Sequence, residues 1–171
     1  MLKPGQKVPD IDLPLTIQAR FELAKQSPDN LTMLVFYRGR HCPICKSQLE
    51  ELGGKLEEFT KRGISPFAIS MDDKERAMTV DEEWKTGDLP LVYDLPEEEA
   101  RKWGLYISEK RPDSDEPEVF SEPGIFLITP EQELFFAAVQ SGPFARPPLD
   151  KLLEGIDYVL ENDYPARGTL T

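Results

Sequence analysis

Cys42-Pro43-Ile44-Cys45 is the part of this sequence whose residue types and spacing point most directly at chemistry. These are the only two cysteines, and a separation of three on a helix brings both sulfurs to one face, within reach of a disulfide. The apolar run Leu31–Tyr37 ahead of them reads as a strand buried on both faces, and the residues from Cys42 onward read as a helix. The pair therefore falls where a strand gives way to a helix. That placement matters because the reactive form of cysteine is the thiolate. A helix N-terminus carries about half a positive charge and several unpaired N–H groups, which favour the anion. Pro43 suits the first turn, which has no use for its missing N–H. Arg38, Arg40 and Lys46 add cations nearby. His41, the only histidine, has an ordinary pKa near neutrality, and its simplest reading is a surface residue beside the nucleophile.

Other chemistries fit these residues less well. A structural zinc site needs four ligands, and His41, Cys42 and Cys45 supply at most three, leaving a site shared in a dimer as the easy route. Haem attachment needs a histidine after the second cysteine, where Lys46 stands. No glycine-rich nucleotide motif occurs. No cofactor and no metal are expected.

The chain has 171 residues with 20 basic and 32 acidic side chains, a net charge of −12. That length suits one domain with a real core, and two cysteines cannot make a disulfide scaffold. The acidic balance argues against nucleic acid or an anionic membrane as partner. The first residues, Met1 to Lys7, show no apolar stretch, so no signal peptide is expected and the cytosol is the default address. The charge is unevenly spread. Residues 1–71 are net +2, residues 72–122 net −10, and residues 123–171 net −4. The cysteines thus lie in a slightly basic segment, and the acidic stretch Asp113–Glu122 reads as a surface that steers partners toward them.

The surrounding pattern alternates strand and helix. A helix from Cys42 carries Leu49, Leu52, Leu56 and Phe59 on one face; Gly53-Gly54 weakens it and Gly63 stops it. A strand at Pro66–Met71 precedes a helix capped by Asp72, with Glu75 three residues on. A strand at Leu91–Tyr93 and a short helix Pro96–Lys102 follow. Glu109–Pro123, acidic and carrying three prolines, reads as a surface loop. Gly124–Thr129 and Leu134–Val139 read as a hairpin, and a last helix from Pro148 to Glu161 buries Leu152, Leu153, Ile156 and Leu160. Trp84 and Trp103, at helix ends, are expected to pack. The sum is an α/β fold, a central mixed sheet flanked by helices on both faces.

The segment Phe36–Cys45, followed by Leu49-Glu50-Glu51-Leu52, resembles the AhpC/TSA redoxins, peroxiredoxin-like proteins of the thioredoxin fold. Val8–Leu13, Leu89–Gly104, Pro123–Ile128 and Gly142–Pro148 extend the likeness over nearly the whole chain. The resemblance implies one redoxin domain over residues 1–171, with a peroxiredoxin-type insertion at 89–122 ending in the acidic, proline-rich loop. On the peroxiredoxin pattern Cys45 takes the peroxidatic place, Cys42 that of the usual Thr, Arg38 that of the Pro, and Pro123 that of the distal arginine. Pro123 also falls where thioredoxins carry a cis-proline, so the chain resembles a peroxiredoxin scaffold fitted with a thioredoxin-like site. The buried aspartate of thioredoxins is replaced by Phe36.

Two mechanisms follow from the resemblance. In thiol–disulfide exchange Cys42 attacks a substrate disulfide and Cys45 resolves the mixed disulfide. In the alternative, peroxide reduction, Cys45 becomes a sulfenic acid and Cys42 condenses with it. Exchange is the leading expectation. A redox-inactive binding module is a third reading, against which the intact Cys-x-x-Cys speaks. The implied partners are a disulfide-bearing or peroxide substrate and an external thiol reductant such as a thioredoxin or glutathione system. Homodimerisation stays open.

Overall fold

The computed structural model describes residues 2–170; Met1 and Thr171 lie outside the described residues. An antiparallel ribbon of β1 (Asp12–Pro14) and β2 (Arg20–Glu22) opens the chain, with a 3₁₀ turn at Leu23–Lys25. β3 (Leu31–Phe36), α1 (Pro43–Gly54), α2 (Leu56–Lys61), β4 (Ile64–Ile69) and α3 (Lys74–Glu83) follow. β5 (Leu91–Val92) and α4 (Glu97–Lys102) lead to a second ribbon, β6 (Ile107–Glu109) with β7 (Val119–Ser121). β8 (Gly124–Ile128), β9 (Leu134–Val139) and α5 (Leu149–Asn162) complete the chain.

The central sheet has the order β5-β4-β3-β8-β9. β3, β4 and β5 are parallel, while β8 runs antiparallel to β3 and β9 antiparallel to β8. Every residue of β3 is buried, and its period of two shares them between two layers. Leu31, Met33, Val35 and Tyr37 join the core with Leu49 and Leu52 of α1, Phe59 of α2, and Leu152 and Ile156 of α5. Leu34 and Phe36 face the other layer, with Leu13, Phe21, Ala100 and Trp103. Both tryptophans pack as expected, Trp84 against Tyr37 and Trp103 against Phe36 and Phe126. The α/β fold with a mixed sheet covered on both faces is therefore the one observed. Among the described residues no helix is long and apolar enough to cross a membrane.

Local differences have identifiable causes. The long helix expected after Cys42 breaks at Lys55, whose φ of −106° and ψ of 8° leave the helical range. Helix-poor Gly53-Gly54 precedes the break, and Gly53 is needed because the Thr86 carbonyl passes close by: a Cβ at 53 would lie 2.2 Å from Thr86 O. Asp73, not Asp72, caps α3 by accepting the Arg76 N–H at 2.9 Å, because Asp72 is drawn inward by the cysteine loop. Leu160 is 39% exposed although it continues the buried stripe of α5, whose core contacts are Leu149, Leu152, Leu153 and Ile156. Periodicity marks a face and not where the opposing layer ends. Glu109–Pro123 is no surface loop throughout, because β7 lies within it and Glu116 and Glu122 are buried.

Candidate active site at the start of the first helix

The turn from β3 to α1 has a shape only certain residues permit. Gly39 has φ of +123°, and a Cβ there would meet Asp72 Oδ1 at 2.5 Å. Asp72 is buried and accepts the Arg40 N–H at 2.7 Å and Arg76 Nε at 3.3 Å. Burial pushes its carboxyl above the ordinary range, against the pull of those donors. The Cys42 N–H then donates to Gly39 O at 3.1 Å. Gly39→Ala is expected to destabilise the protein by about 1–3 kcal/mol through the left-handed backbone alone, and to slow thiol alkylation by tilting Cys42 off the helix end. Urea unfolding and an iodoacetamide rate check both effects.

Cys42 is the N-cap of α1, and its Sγ accepts the Cys45 N–H at 3.2 Å. The thiol is lowered to about 6. The hydrogen bond from the Cys45 thiol is the largest cause; the Cys45 N–H, Arg38 and Arg146 help, and burial opposes them. Cys45 is pushed up, by burial first and then by the adjacent Cys42 sulfur. The arrangement favours the anion at Cys42 over the anion at Cys45. Both residues are buried, at 1% and 0% exposure, so area barely distinguishes them. Position does, since Cys42 borders a cleft of about 350 Å³ with Arg38, Pro43, Ile44, Arg111, Pro143 and Phe144, and Cys45 does not.

The guanidinium nearest the sulfurs comes from a residue far away in sequence. Arg146 Nη2 lies 3.0 Å from Cys45 Sγ and 3.9 Å from Cys42 Sγ. Its Nη1 donates to Gln48 Oε1 on α1, and its Nε to Pro143 O at 2.9 Å. Arg146 stands 104 residues from Cys42, so no local pattern could connect them. The one available signal was a cation within Gly142–Pro148, in a C-terminal part that holds only three.

The residues singled out from the sequence take other places. Arg38 is committed to acids, with Nε 3.1 Å from Glu122 Oε2 in an ion pair not aligned for a hydrogen bond, and Nη2 3.7 Å from Glu116 Oε1. Its guanidinium also lies over the Phe120 ring at 4.8 Å. Arg40 is exposed and contributes its backbone N–H. Lys46 pairs with Glu50 at 4.0 Å. His41 is not a surface ring: it packs against Phe120 at 4.7 Å, and both its nitrogens are buried without partners. Burial, followed by the Arg38 charge, lowers it to about 4, so it is neutral at physiological pH. Pro43 opens α1 at the cleft. Pro123 precedes β8, whose Gly124 pairs with Phe36 at the end of β3, and its peptide bond is trans.

The acidic segment looks inward as well as outward. Glu116 accepts the Arg111 N–H at 2.8 Å, Arg111 Nε at 2.9 Å and Ser114 Oγ at 3.1 Å. These donors hold its carboxyl down at about 2 even though burial, the largest single influence, acts the other way. Glu122 accepts Ser108 Oγ at 2.6 Å. Two of the acids expected to greet partners are thus spent on Arg38 and Arg111, a role invisible in net charge. Glu116→Gln is expected to leave Arg38 underpaired and to lower stability by about 1–3 kcal/mol, measured by urea unfolding.

The AhpC/TSA family pattern matches residues 4–136 of this chain. A probable 1-Cys peroxiredoxin from Syntrichia ruralis is 25% identical over 159 residues, covering 90% of this chain and 71% of that protein. A 1-Cys peroxiredoxin from Medicago truncatula is 31% identical over 71 residues, 42% of this chain and 32% of its own length. In fold, the chain is similar to peroxidoxin BcpB from Mycobacterium tuberculosis, with a TM-score of 0.73, 21% identity, and coverage of 93% of this chain and 99% of that one. It is likewise similar to reduced Plasmodium vivax 2-Cys peroxiredoxin, with a TM-score of 0.76, 17% identity, and coverage of 95% and 84%.

Proposed function

We propose, from the premise that this chain belongs to the AhpC/TSA family, that Cys42 and Cys45 form its working dithiol/disulfide couple, with Cys42 the attacking sulfur. Family membership makes the chain a thiol-dependent oxidoreductase; the division of labour between the two sulfurs is our reading. One observation carries it. Cys42 Sγ caps α1, borders the cleft and has its thiol lowered to about 6, whereas Cys45 lies behind it with its thiol pushed up. The sulfur that is anionic and reachable is the one that attacks.

Attack by Cys42 on a substrate disulfide gives a mixed disulfide, and Cys45 then displaces the product. Arg146, touching both sulfurs, would stabilise whichever carries the charge as it passes between them. In the cytosol, the compartment favoured by the sequence, a thioredoxin or glutathione system would return the disulfide to dithiol. Residues 1–171 act in this reading as one redoxin domain, with 89–122 as the insertion whose carboxylates hold Arg38 beside Cys42. Pro43 lines the entrance, His41 packs against Phe120, and Pro123 leads into β8.

The second reading, peroxide reduction with Cys45 peroxidatic and Cys42 resolving, is favoured by the shorter Arg146 contact, 3.0 Å to Cys45 against 3.9 Å to Cys42. Trapping sulfenic acid in peroxide-treated wild-type, Cys42→Ser and Cys45→Ser proteins separates the two. Rapid sulfenylation of Cys45 in Cys42→Ser would overturn the exchange-first order. Insulin reduction by wild type that vanishes in Cys42→Ser would support it.

A pH dependence follows with a definite sign. Lowering the folded-state pKa of an acid leaves more anion at a given pH, so alkylation of Cys42 should be half-maximal near pH 6, not near 9.0, the ordinary value for the thiol. In Arg146→Met the midpoint should move upward, because one stabilising cation is lost. Iodoacetamide rates from pH 4 to 10, with Cys42→Ser as the control for alkylation of Cys45, test this.

A further inference from the structure

The segment between β9 and α5 is hydrogen-bonded to the rest of the described chain through a single side chain. Residues 141–147 make no backbone–backbone hydrogen bond with any other described residue. The last one before them is Gln140 N–H to Pro123 O at 3.0 Å, and the next is Leu152 N–H to Pro148 O at 3.0 Å. The hydrogen bonds this segment makes to the rest of the described chain all come from the Arg146 guanidinium: one to Gln48 and the contacts to Cys45 and Cys42. The loop also carries a cost, because Ala145 sits at φ of +53°, which side chains other than glycine rarely adopt. Phe144 at its tip is 71% exposed and borders the Cys42 cleft.

Two of the three outside partners of Arg146 change chemically during a redox cycle. We propose that residues 141–147 form a redox-sensed lip: the reduced pair holds Arg146 and keeps Phe144 beside the cleft, and formation of the Cys42–Cys45 disulfide releases it. The proposal rests on the Cys42/Cys45 couple argued above. Oxidation removes two electrons and two protons from the dithiol and forms one S–S bond. A hydroperoxide takes them up as its O–O bond breaks to an alcohol and water, or a substrate disulfide takes them up and becomes two thiols. The disulfide carries no charge and is a poor acceptor, so Arg146 is left with the Gln48 amide oxygen and its own loop carbonyl. A guanidinium so placed gains by turning to water, and Ala145 is freed from its left-handed backbone. A protein reductant needs more room over Cys42 than a small oxidant does. Release of the lip would supply that room at the step that needs it.

Chymotrypsin, which cuts after phenylalanine, reads the state of Phe144 directly. Wild-type protein is divided into fully reduced samples and samples treated with a hydroperoxide or with oxidised glutathione as a model disulfide, and each is assayed for free thiols, for cleavage after Phe144 and for amide exchange over 141–147. Oxidation is expected to speed that cleavage about tenfold or more, the weight of a lost charge-assisted contact. Arg146→Gln is expected to be cut quickly in both states. A sample whose two thiols have been consumed as a disulfide, yet whose cleavage and exchange match the reduced protein, would overturn the lip and leave the couple standing. Slow cleavage of Arg146→Gln in both states would overturn it too. Thiols that survive both oxidants would bring down the couple and the lip together.

Discussion

Cys42→Ser is expected to lose redox turnover by more than about a thousandfold, the scale on which removing a nucleophile acts. Nothing nearby can take over. Cys45 lies behind Cys42, away from the cleft, and its thiol is held protonated by burial, so the variant keeps a sulfur but not a reachable anion. A serine at 42 can still accept the Cys45 N–H as an N-cap, so the fold should survive and the loss should be chemical. Cys45→Ser should behave differently. It keeps the attacking thiolate and loses the resolving thiol, so a mixed disulfide with substrate should accumulate to about one equivalent. Mass spectrometry of the two variants after exposure to a model disulfide distinguishes them: an adduct on Cys42 in one, none in the other. An adduct that forms on Cys45 of Cys42→Ser as fast as in wild type would refute the assignment.

Gly53→Ala is expected to destabilise the protein markedly at a position away from the sulfurs. At an exposed helical position the change would gain roughly 1 kcal/mol from helix propensity. Here the sign reverses, because the new Cβ would lie 2.2 Å from Thr86 O and 2.6 Å from its carbonyl carbon, both backbone atoms. Backbone cannot swing aside as a side chain does, so α1 or the segment after α3 must move. Overpacking of this kind costs about 1–3 kcal/mol beyond any propensity gain. The variant should unfold several degrees below wild type, since each kcal/mol moves a chain of this size by roughly 2–4 °C. Gly54→Ala is the control. Nothing lies within 4 Å of a Cβ there, so it should be neutral or mildly stabilising. Calorimetry on the pair decides whether close approach, rather than helix-weakening glycine as such, explains residue 53.

The alternation of buried strands with amphipathic helices, the hairpin after Pro123 and the strand-to-helix position of the cysteines could all be read in advance. Each is set by neighbours in sequence: side chains at period two or 3.6, turn residues, and a helix end that favours a thiolate. Even the low pKa at Cys42 has a local part, because the Cys45 N–H that caps its sulfur is three residues away. What the sequence by itself determined, then, was the class of fold and the place of the two cysteines where a strand gives way to a helix.

The electrostatic surroundings of that pair were decided elsewhere. Of the three cations close to the cysteines in sequence, Arg38 borders the Cys42 cleft but is paired with Glu116 and Glu122, Arg40 works through its backbone, and Lys46 faces Glu50. The guanidinium that reaches both sulfurs comes from Arg146, on a loop after the last strand. The acids of the insertion, which by count alone looked like a docking surface, turned partly inward to meet Arg38 and Arg111. His41, the one histidine, was taken out of proton chemistry by packing against Phe120. Charge acts through distance and dielectric, and both are properties of the folded chain. Only the tertiary structure could say which charge stands next to which sulfur.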